Sequence, residues 1–220
     1  MKFKKTVIKK NKIFGNSSQL IIACLKDRNS YTGFISCGEI NNDKFNIIFK
    51  DIPAVFGKNG LGKSKEGDNK TPEGIFKITG AFGSTKPSFK LNIPFHITSQ
   101  YDYWIDDPNS KDYNTLVYFQ GDPDSKWNSY ERLNNPLYKY AIIYDYNKEC
   151  ISGLGSALFI HIWKNPEVPT SGCTAVSEKD LMKIIKWLDI NKNPILIQGC
   201  MNEKIFIQDN MNEIKEFLWH

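Results

Sequence analysis

Several features common in other protein classes are missing from this sequence. The apolar stretch Leu20 to Leu25 is far shorter than the roughly 20 residues that a membrane-spanning helix needs. The basic residues at the start of the chain are not followed by the apolar segment of a secretory leader. The five cysteines include no C-x-x-C pair, and there are only three histidines. The sequence therefore predicts no membrane span and no zinc site.

The charge balance carries little functional signal. The net charge of +5 over 220 residues is mild and is spread along the chain. Such a balance suits an anionic surface, but it is more often a solvated face, and no nucleic-acid-binding motif accompanies it. We expect no nucleic-acid partner. The length suits one domain, which we place over residues 1–220, and we expect a monomer.

Alternating and apolar runs separated by turn residues predict a mostly β (α+β) fold with a few peripheral helices. Ser177 has the character of an N-cap, and apolar residues at helical spacing after it predict a helix over Glu178 to Asp189. A weaker pattern predicts a helix over Asn210 to Leu218. The predicted strands are Lys5 to Phe14, Gln19 to Leu25, Tyr31 to Ser36, Phe45 to Phe49, Gly74 to Ile78, Tyr140 to Tyr146, Ala157 to Ile162 and Pro194 to Gln198.

One histidine and one cysteine have the spacing of a nucleophile and its base. His161 ends an apolar strand-like run, and Cys173 follows the small residues Thr170, Ser171 and Gly172. A cysteine attacks carbonyls as the thiolate, which needs a nearby base and access to substrate. The turn is expected to expose the sulfur and to aim the N–H groups of Gly172 and Cys173 at an oxyanion. A buried structural cysteine and a satisfied core histidine fit the spacing equally well.

A second motif indicates different chemistry. Gly57 to Ser64 matches the G-x-x-x-x-G-K-[ST] pattern of a phosphate-binding loop, and Tyr140 to Asp145 resembles a strand that ends in a magnesium-binding aspartate. A phosphate loop must lead directly into a helix. Turn formers such as Gly67 and Pro72 follow instead, so we expect no helix there and regard an NTPase as a remote alternative.

The longer pattern resembles the YkuD-type L,D-transpeptidases, in the compact branch where the catalytic domain makes up nearly the whole protein. The resemblance extends from about Gly57 to Gly199 in the same order along the chain. It is carried by Gly57-Lys58-Asn59-Gly60, Lys65-Glu66-Gly67-Asp68, Thr71-Pro72-Glu73-Gly74, Trp104-Ile105-Asp106-Asp107-Pro108, Tyr113-Asn114, Gly153 to His161 and Pro169 to Cys173.

The resemblance implies a β-sandwich with Cys173 as nucleophile, His161 as general base, and Thr170 and Gly172 in the loop that shapes the site. No metal or organic cofactor is implied. Two positions depart from the family pattern: Ser171 stands where many members have histidine, and Ala175 where many have arginine. Because such an arginine anchors a substrate carboxylate or the loop, its absence leaves the placement of substrate open.

The segment from His96 to Arg132 is rich in aromatic and polar residues and lacks clear periodicity. It is either a lid or groove wall that grips substrate, or a surface loop packed by its own aromatic residues. The family resemblance favours Trp104, Asp106 and Asn114 as substrate-binding residues, and His96 is either structural or in contact with substrate.

The expected substrate class is the stem peptide of peptidoglycan, which implies an extracytoplasmic, for example periplasmic, location. Three functions remain open: a transpeptidase that passes a Cys173 thioester to an amine, a cysteine-dependent carboxypeptidase or endopeptidase that passes it to water, and a catalytically silent peptidoglycan-binding module.

Overall fold

The computed structural model describes residues 14–42 and 44–200, with one α-helix, three 3-10 helices and twelve strands in that part of the chain. The strands are β1 Gln19–Leu25, β2 Thr32–Asn41, β3 Lys44–Val55, β4 Gly74–Gly83, β5 Phe95–Ile97, β6 Asp102–Ile105, β7 Leu116–Tyr118, β8 Tyr130–Arg132, β9 Ala141–Tyr144, β10 Phe159–Ile162, β11 Thr174–Val176 and β12 Ile195–Cys200. The α-helix is α1 Glu178–Trp187, and the 3-10 helices are Pro123–Ser125, Pro136–Tyr138 and Ile190–Lys192.

The main sheet closes on itself. Nine strands pair in the order β12-β1-β2-β3-β11-β10-β9-β4-β5, and β12 also pairs with β4, so eight of them form a ring to which β5 is added. Every residue of β1 is buried, as expected for a strand covered on both faces. The predicted strand at Gln19 to Leu25 coincides with β1, and the mostly β fold class is confirmed.

The helix α1 follows from local sequence. Ser177 caps it, with Oγ accepting the Asp180 N–H at 3.1 Å, and Leu181 and Ile184 face the core. The helix ends at Trp187, two residues before the predicted end. Asp189 is unavailable to it, because its N–H donates to Gln19 Oε1 and its carboxylate caps the next 3-10 helix.

A second sheet lies within the segment for which the sequence predicted no regular structure. Strands β7, β6 and β8 form it in that order, between residues 102 and 132. The core of this sheet consists of Tyr103, Ile105 and Trp127. Trp104 packs edge-on against Phe159 of β10, with the ring centroids 4.9 Å apart. The segment is therefore a small subsheet fixed to the ring of strands.

Two of the predicted elements cannot be compared with the structure. The helix over Asn210 to Leu218, and nearly all of the strand over Lys5 to Phe14, lie outside the described residues; Phe14 itself is in a turn.

Candidate active site

The pairing of β10 and β11 brings Cys173 and His161 to one cavity. Cys173 directly precedes β11, and its sulfur accepts the N–H of Phe159 at 3.4 Å. His161 lies two residues after Phe159 on β10, so the side chains of these two residues point to the same face of the sheet. Both residues line a cavity of about 600 Å³.

The His161 ring is fixed in the tautomer that a general base requires. Nδ1 lies 2.8 Å from the carbonyl oxygen of Ile162, which only accepts hydrogen bonds, so Nδ1 carries the proton. The Tyr138 ring packs edge-on against the imidazole at 5.2 Å. Burial lowers the pKa of His161 to about 4, and the hydrogen bond to the Ile162 carbonyl raises it, which opposes the shift only in part. At neutral pH, Nε2 is therefore an unprotonated acceptor.

Cys173 is a protonated thiol in this arrangement. Its Sγ–H donates to the carbonyl of Ala157 at 3.3 Å. Burial raises the pKa of Cys173 to about 12; the Phe159 N–H lowers it, the charge of Glu131 raises it and that of Lys63 lowers it. The residue is 7% exposed, less than the turn-rich sequence predicted, because the loop folds back onto β10. Thiol and imidazole are thus both neutral before substrate binds.

The loop before Cys173 is held together by Thr170. Its hydroxyl donates to the Cys173 carbonyl at 2.6 Å and accepts the Gly172 N–H at 3.1 Å. The expectation that both N–H groups face an oxyanion is therefore wrong for Gly172, whose N–H is already bonded. Cys173 N–H has no hydrogen-bond partner within the described chain. Ser171 is exposed on the rim.

Gly172 needs to be glycine for two reasons. Its φ of +149° lies in a region that other residues rarely adopt, and an added Cβ would lie 2.9 Å from the Lys70 carbonyl oxygen. The same Cβ would lie 3.6 Å from Lys63 Nζ, so the lysine ammonium is next to this loop.

One side of the cavity carries three carboxyl groups, Glu66, Asp106 and Glu131, here called the acidic wall. Burial raises the pKa of Asp106, with the hydroxyl of Ser129 acting against the shift and the charge of Glu66 adding to it. Burial and the charges of Asp106 and Glu66 raise the pKa of Glu131. The wall thus concentrates negative charge in the cavity that Cys173 also lines.

Lys63, which also lines the cavity, forms a buried ion pair with Asp68. Nζ lies 2.9 Å from Asp68 Oδ1, and the two side chains are 2% and 7% exposed. Asp68 also accepts the N–H groups of Ser64, Lys65 and Lys70. Burial opposes ionisation of Asp68, but these bonds outweigh it, and its pKa is lowered.

Three residues predicted to bind substrate lie outside the lining of this cavity. His96 lies on β5, and its Nε2 is 2.8 Å from Oδ1 of the buried Asp102. The Asn114 side-chain oxygen accepts from Trp104 Nε1 at 2.9 Å and from the Ala157 N–H at 3.2 Å. Asn114 and Trp104 therefore support the backbone whose carbonyl holds the thiol. Asp106, Thr170, Ser171 and Gly172 do line the cavity.

Glu131 and Tyr138 line the cavity but are not among the residues predicted from the sequence, because no local pattern marks either. Glu66 and Lys63 were visible in matched motifs, but no role was assigned to their side chains.

The match to known families covers most of the chain. The model for the L,D-transpeptidase catalytic domain, YkuD, matches residues 38–197 and spans both Cys173 and His161. The chain belongs to the YkuD family. The match starts earlier than the expected Gly57 and ends two residues before Gly199. No protein among those with curated descriptions matches this YkuD chain.

The residues that match the phosphate-loop pattern do not form a phosphate-binding loop in this YkuD domain. Residues 65–73 contain no helix, and Gly60 and Gly62 take positive φ angles. Lys63, the lysine of that pattern, is bonded to Asp68. The described residues also contain no cluster of three or more His, Cys, Asp or Glu that is arranged to hold a metal ion. No helix in the same part of the chain is both long and apolar enough to span a membrane.

Proposed function

We propose that this protein is a peptidoglycan L,D-transpeptidase with Cys173 as nucleophile and His161 as general base. The observation that carries the proposal is the shared cavity, in which Nδ1 of His161 is tied to a backbone carbonyl and Nε2 is left free to take a proton. The family match supports the reaction class.

In the first half-reaction, His161 Nε2 takes the thiol proton as the sulfur attacks the carbonyl of an L-configured residue in a stem peptide. The carbon–sulfur bond forms, and the carbonyl electron pair moves to oxygen as an oxyanion near the Cys173 N–H. Collapse of this intermediate breaks the carbon–nitrogen bond. The terminal D-residue leaves as an amine that takes the proton from His161, and a thioester remains.

In the second half-reaction, an amine from a neighbouring stem attacks the thioester, His161 removes the amine proton, and the thiol is restored. The acidic wall favours amines over water as acceptors, because it attracts a protonated amine and so concentrates the acceptor in the cavity. The bound ammonium releases its extra proton to solvent before the neutral amine attacks. The carboxypeptidase outcome differs only in that water takes the place of the amine.

The decisive experiment is product analysis by mass spectrometry after incubation with purified disaccharide-tetrapeptide. We expect crosslinked dimers from the wild type and from Cys150→Ala, which removes a half-buried thiol outside the cavity, and none from Cys173→Ala. Trimmed monomers alone would assign the protein as a peptidase. Binding without turnover by any variant would assign it as a peptidoglycan-binding module.

We further propose that the enzyme works outside the cytoplasmic membrane, where its substrate lies, and that residues 1–220 form one catalytic domain. The family match over residues 38–197 supports the second point, because it leaves only short flanking segments.

A further inference from the structure

A lysine side chain passes between two glycines beside the nucleophile loop. A Cβ on Gly155 would lie 2.4 Å from Lys63 Cε, and one on Gly172 would lie 3.6 Å from Lys63 Nζ. Gly155 is in the loop before β10, and Gly172 directly precedes Cys173. Any side chain at Gly155 would displace the lysine, so the space for Lys63 depends on glycine at this position.

Asp68 holds Lys63 in the space between the two glycines, and within the described part of the chain the lysine ammonium still has an unused hydrogen-bond donor. The ammonium carries three N–H groups. One bonds Asp68 Oδ1 at 2.9 Å and a second bonds the carbonyl of Lys65 at 3.3 Å. The third has no partner within the described residues, and Lys63 lines the cavity.

The nucleophile loop is short of one donor. An oxyanion hole in acyl transfer commonly offers two hydrogen-bond donors to the developing charge. Here Gly172 N–H is bonded to Thr170, which leaves only the Cys173 N–H. The position where many family members carry arginine holds Ala175, which is fully buried in β11 opposite His161. That position therefore offers no cation to the site, and a second donor for the oxyanion has to come from another part of the cavity.

We propose that Lys63 supplies the second donor to the oxyanion formed at Cys173. The fixed ammonium receives the carbonyl oxygen of the acyl donor as its electron pair becomes negative, and it releases that oxygen when the carbon–nitrogen bond breaks. Asp68 is a positioning residue that holds the ammonium in place. The proposal rests on the proposed acyl transfer through Cys173.

Two reagents separate an effect on the oxyanion from an effect on the sulfur. Iodoacetamide alkylates the thiolate by displacement and forms no oxyanion, whereas p-nitrophenyl acetate acylates it through a tetrahedral oxyanion. Both rates are proportional to the same thiolate fraction, so their ratio depends only on how well the oxyanion is stabilised. The measurement is made on the full chain carrying Lys63→Met, with Lys65→Met as a control that removes an exposed lysine from the same loop.

In Lys63→Met we expect the acylation-to-alkylation ratio to fall about 100-fold, the usual effect of losing one oxyanion donor. Lys65→Met is expected to keep the wild-type ratio. An unchanged ratio in Lys63→Met would overturn the proposal, whether both rates fall together or neither changes, because Lys63 would then act on the sulfur alone or not at all.

Because Lys63→Met leaves a buried aspartate without its cation, a second variant, Lys63→Met/Asp68→Asn, removes both charges and is expected to fold and to show the same low ratio. Circular dichroism checks folding, and a wild-type ratio in this folded variant would equally overturn the proposal. Because neither reagent is a cell-wall peptide, failure of the wild type to act on stem peptides would refute the proposed function while this test stays readable.

Discussion

At the residue scale, the reactivity of Cys173 depends on two opposing charges. Glu131 raises the pKa of the thiol and Lys63 lowers it. Glu131 is itself held in an unfavourable place, because burial and the charges of Asp106 and Glu66 raise its pKa. Neutralising Glu131 should therefore change both the ionisation of the Cys173 thiol and the stability of the fold.

We predict that Glu131→Gln alkylates faster with iodoacetamide at pH 8 than the wild type, because more of Cys173 is ionised. The variant should also unfold at a higher temperature at pH 7. A carboxyl with a raised folded-state pKa costs stability above that pKa, so this advantage should shrink as the pH falls and the wild-type side chain is protonated. Glu149→Gln, at an exposed position outside the cavity, is the matched control and should change neither value. A slower alkylation of Glu131→Gln would contradict the prediction.

The pH dependence of turnover reports the protonation of His161. Burial lowers its pKa from the ordinary 6.5 to about 4, so the imidazole stays neutral, as the proposed general base must be, well into the acid range. We predict that kcat/KM stays near its plateau at pH 5.5 and declines as the pH approaches 4. A rate profile with an acid limb near 6.5 would show that the imidazole is more solvated than its packing indicates.

The same group makes the fold sensitive to acid. Between about 6.5 and 4 the unfolded chain takes up a proton at His161 that the native state does not, so His161 makes stability fall as the pH falls through this window. This loss should be absent from His161→Gln, and denaturant unfolding at pH 7 and pH 5 measures the difference.

Local sequence patterns predicted which single residues could react, but not which residues surround them in the fold. The Cys173 and His161 pair was visible because a small-residue turn and an apolar strand flank them. The acidic wall was not, because its carboxyl groups come from three separate segments that meet only in the folded chain. The engagement of Gly172 N–H by Thr170 also depends on how the loop folds.

At the element scale, the bend before β10 sets the position of the thiol acceptor. Ala157 has a φ of +52°, an uncommon conformation for alanine, and its N–H donates to the side chain of Asn114. The strand predicted from Ala157 therefore begins only at Phe159. The sequence of this run favours a strand throughout, and the side chain that bends it comes from another segment.

We predict that Asn114→Ala lowers both stability and kcat. The change leaves the Ala157 N–H and the Trp104 indole N–H without their acceptor, at roughly 1–3 kcal/mol for each buried donor. Denaturant unfolding and turnover of disaccharide-tetrapeptide measure the two effects. The control Asn109→Ala removes an exposed amide in the same subsheet region and should leave both unchanged.

Elements with strong local signals were predicted well, and short ones were missed. The helix α1 has its own cap and apolar spacing, and β1 is a continuous apolar run. By contrast, β7, β8 and β11 are three residues long, and their pairing partners lie elsewhere in the chain. Strands of that length form because of tertiary pairing, which periodicity does not reveal.

At the scale of the whole molecule, the ring of strands is closed by β12, which pairs with β1 on one side and β4 on the other. Leu196 is at the centre of this closure, opposite Ile21 and Phe76 and fully buried. Its side chain belongs to the main core, which also contains Cys173.

We predict that Leu196→Ala destabilises the protein by about 2–5 kcal/mol, the usual range for a buried leucine, through lost burial and a residual cavity. Ile48→Ala, at a side chain on β3 that is 44% exposed, should cost far less. Urea unfolding compares the two. Equal losses would mean that the closure strand is no more tightly packed than the surface.

The pairing of β1 with β12 also has a consequence for the time at which the Cys173 loop takes its final position. Residues 20 and 195 are partners, so the ring cannot close until all twelve of the described strands have been made. Contacts this distant in sequence form slowly, because loop-closure entropy is lost before pairing compensates for it. Cys173 is translated ahead of β12, so the growing chain contains Cys173 before the finished ring can hold its loop. Completion of β12 therefore sets the earliest moment at which the ring can hold the Cys173 loop in place.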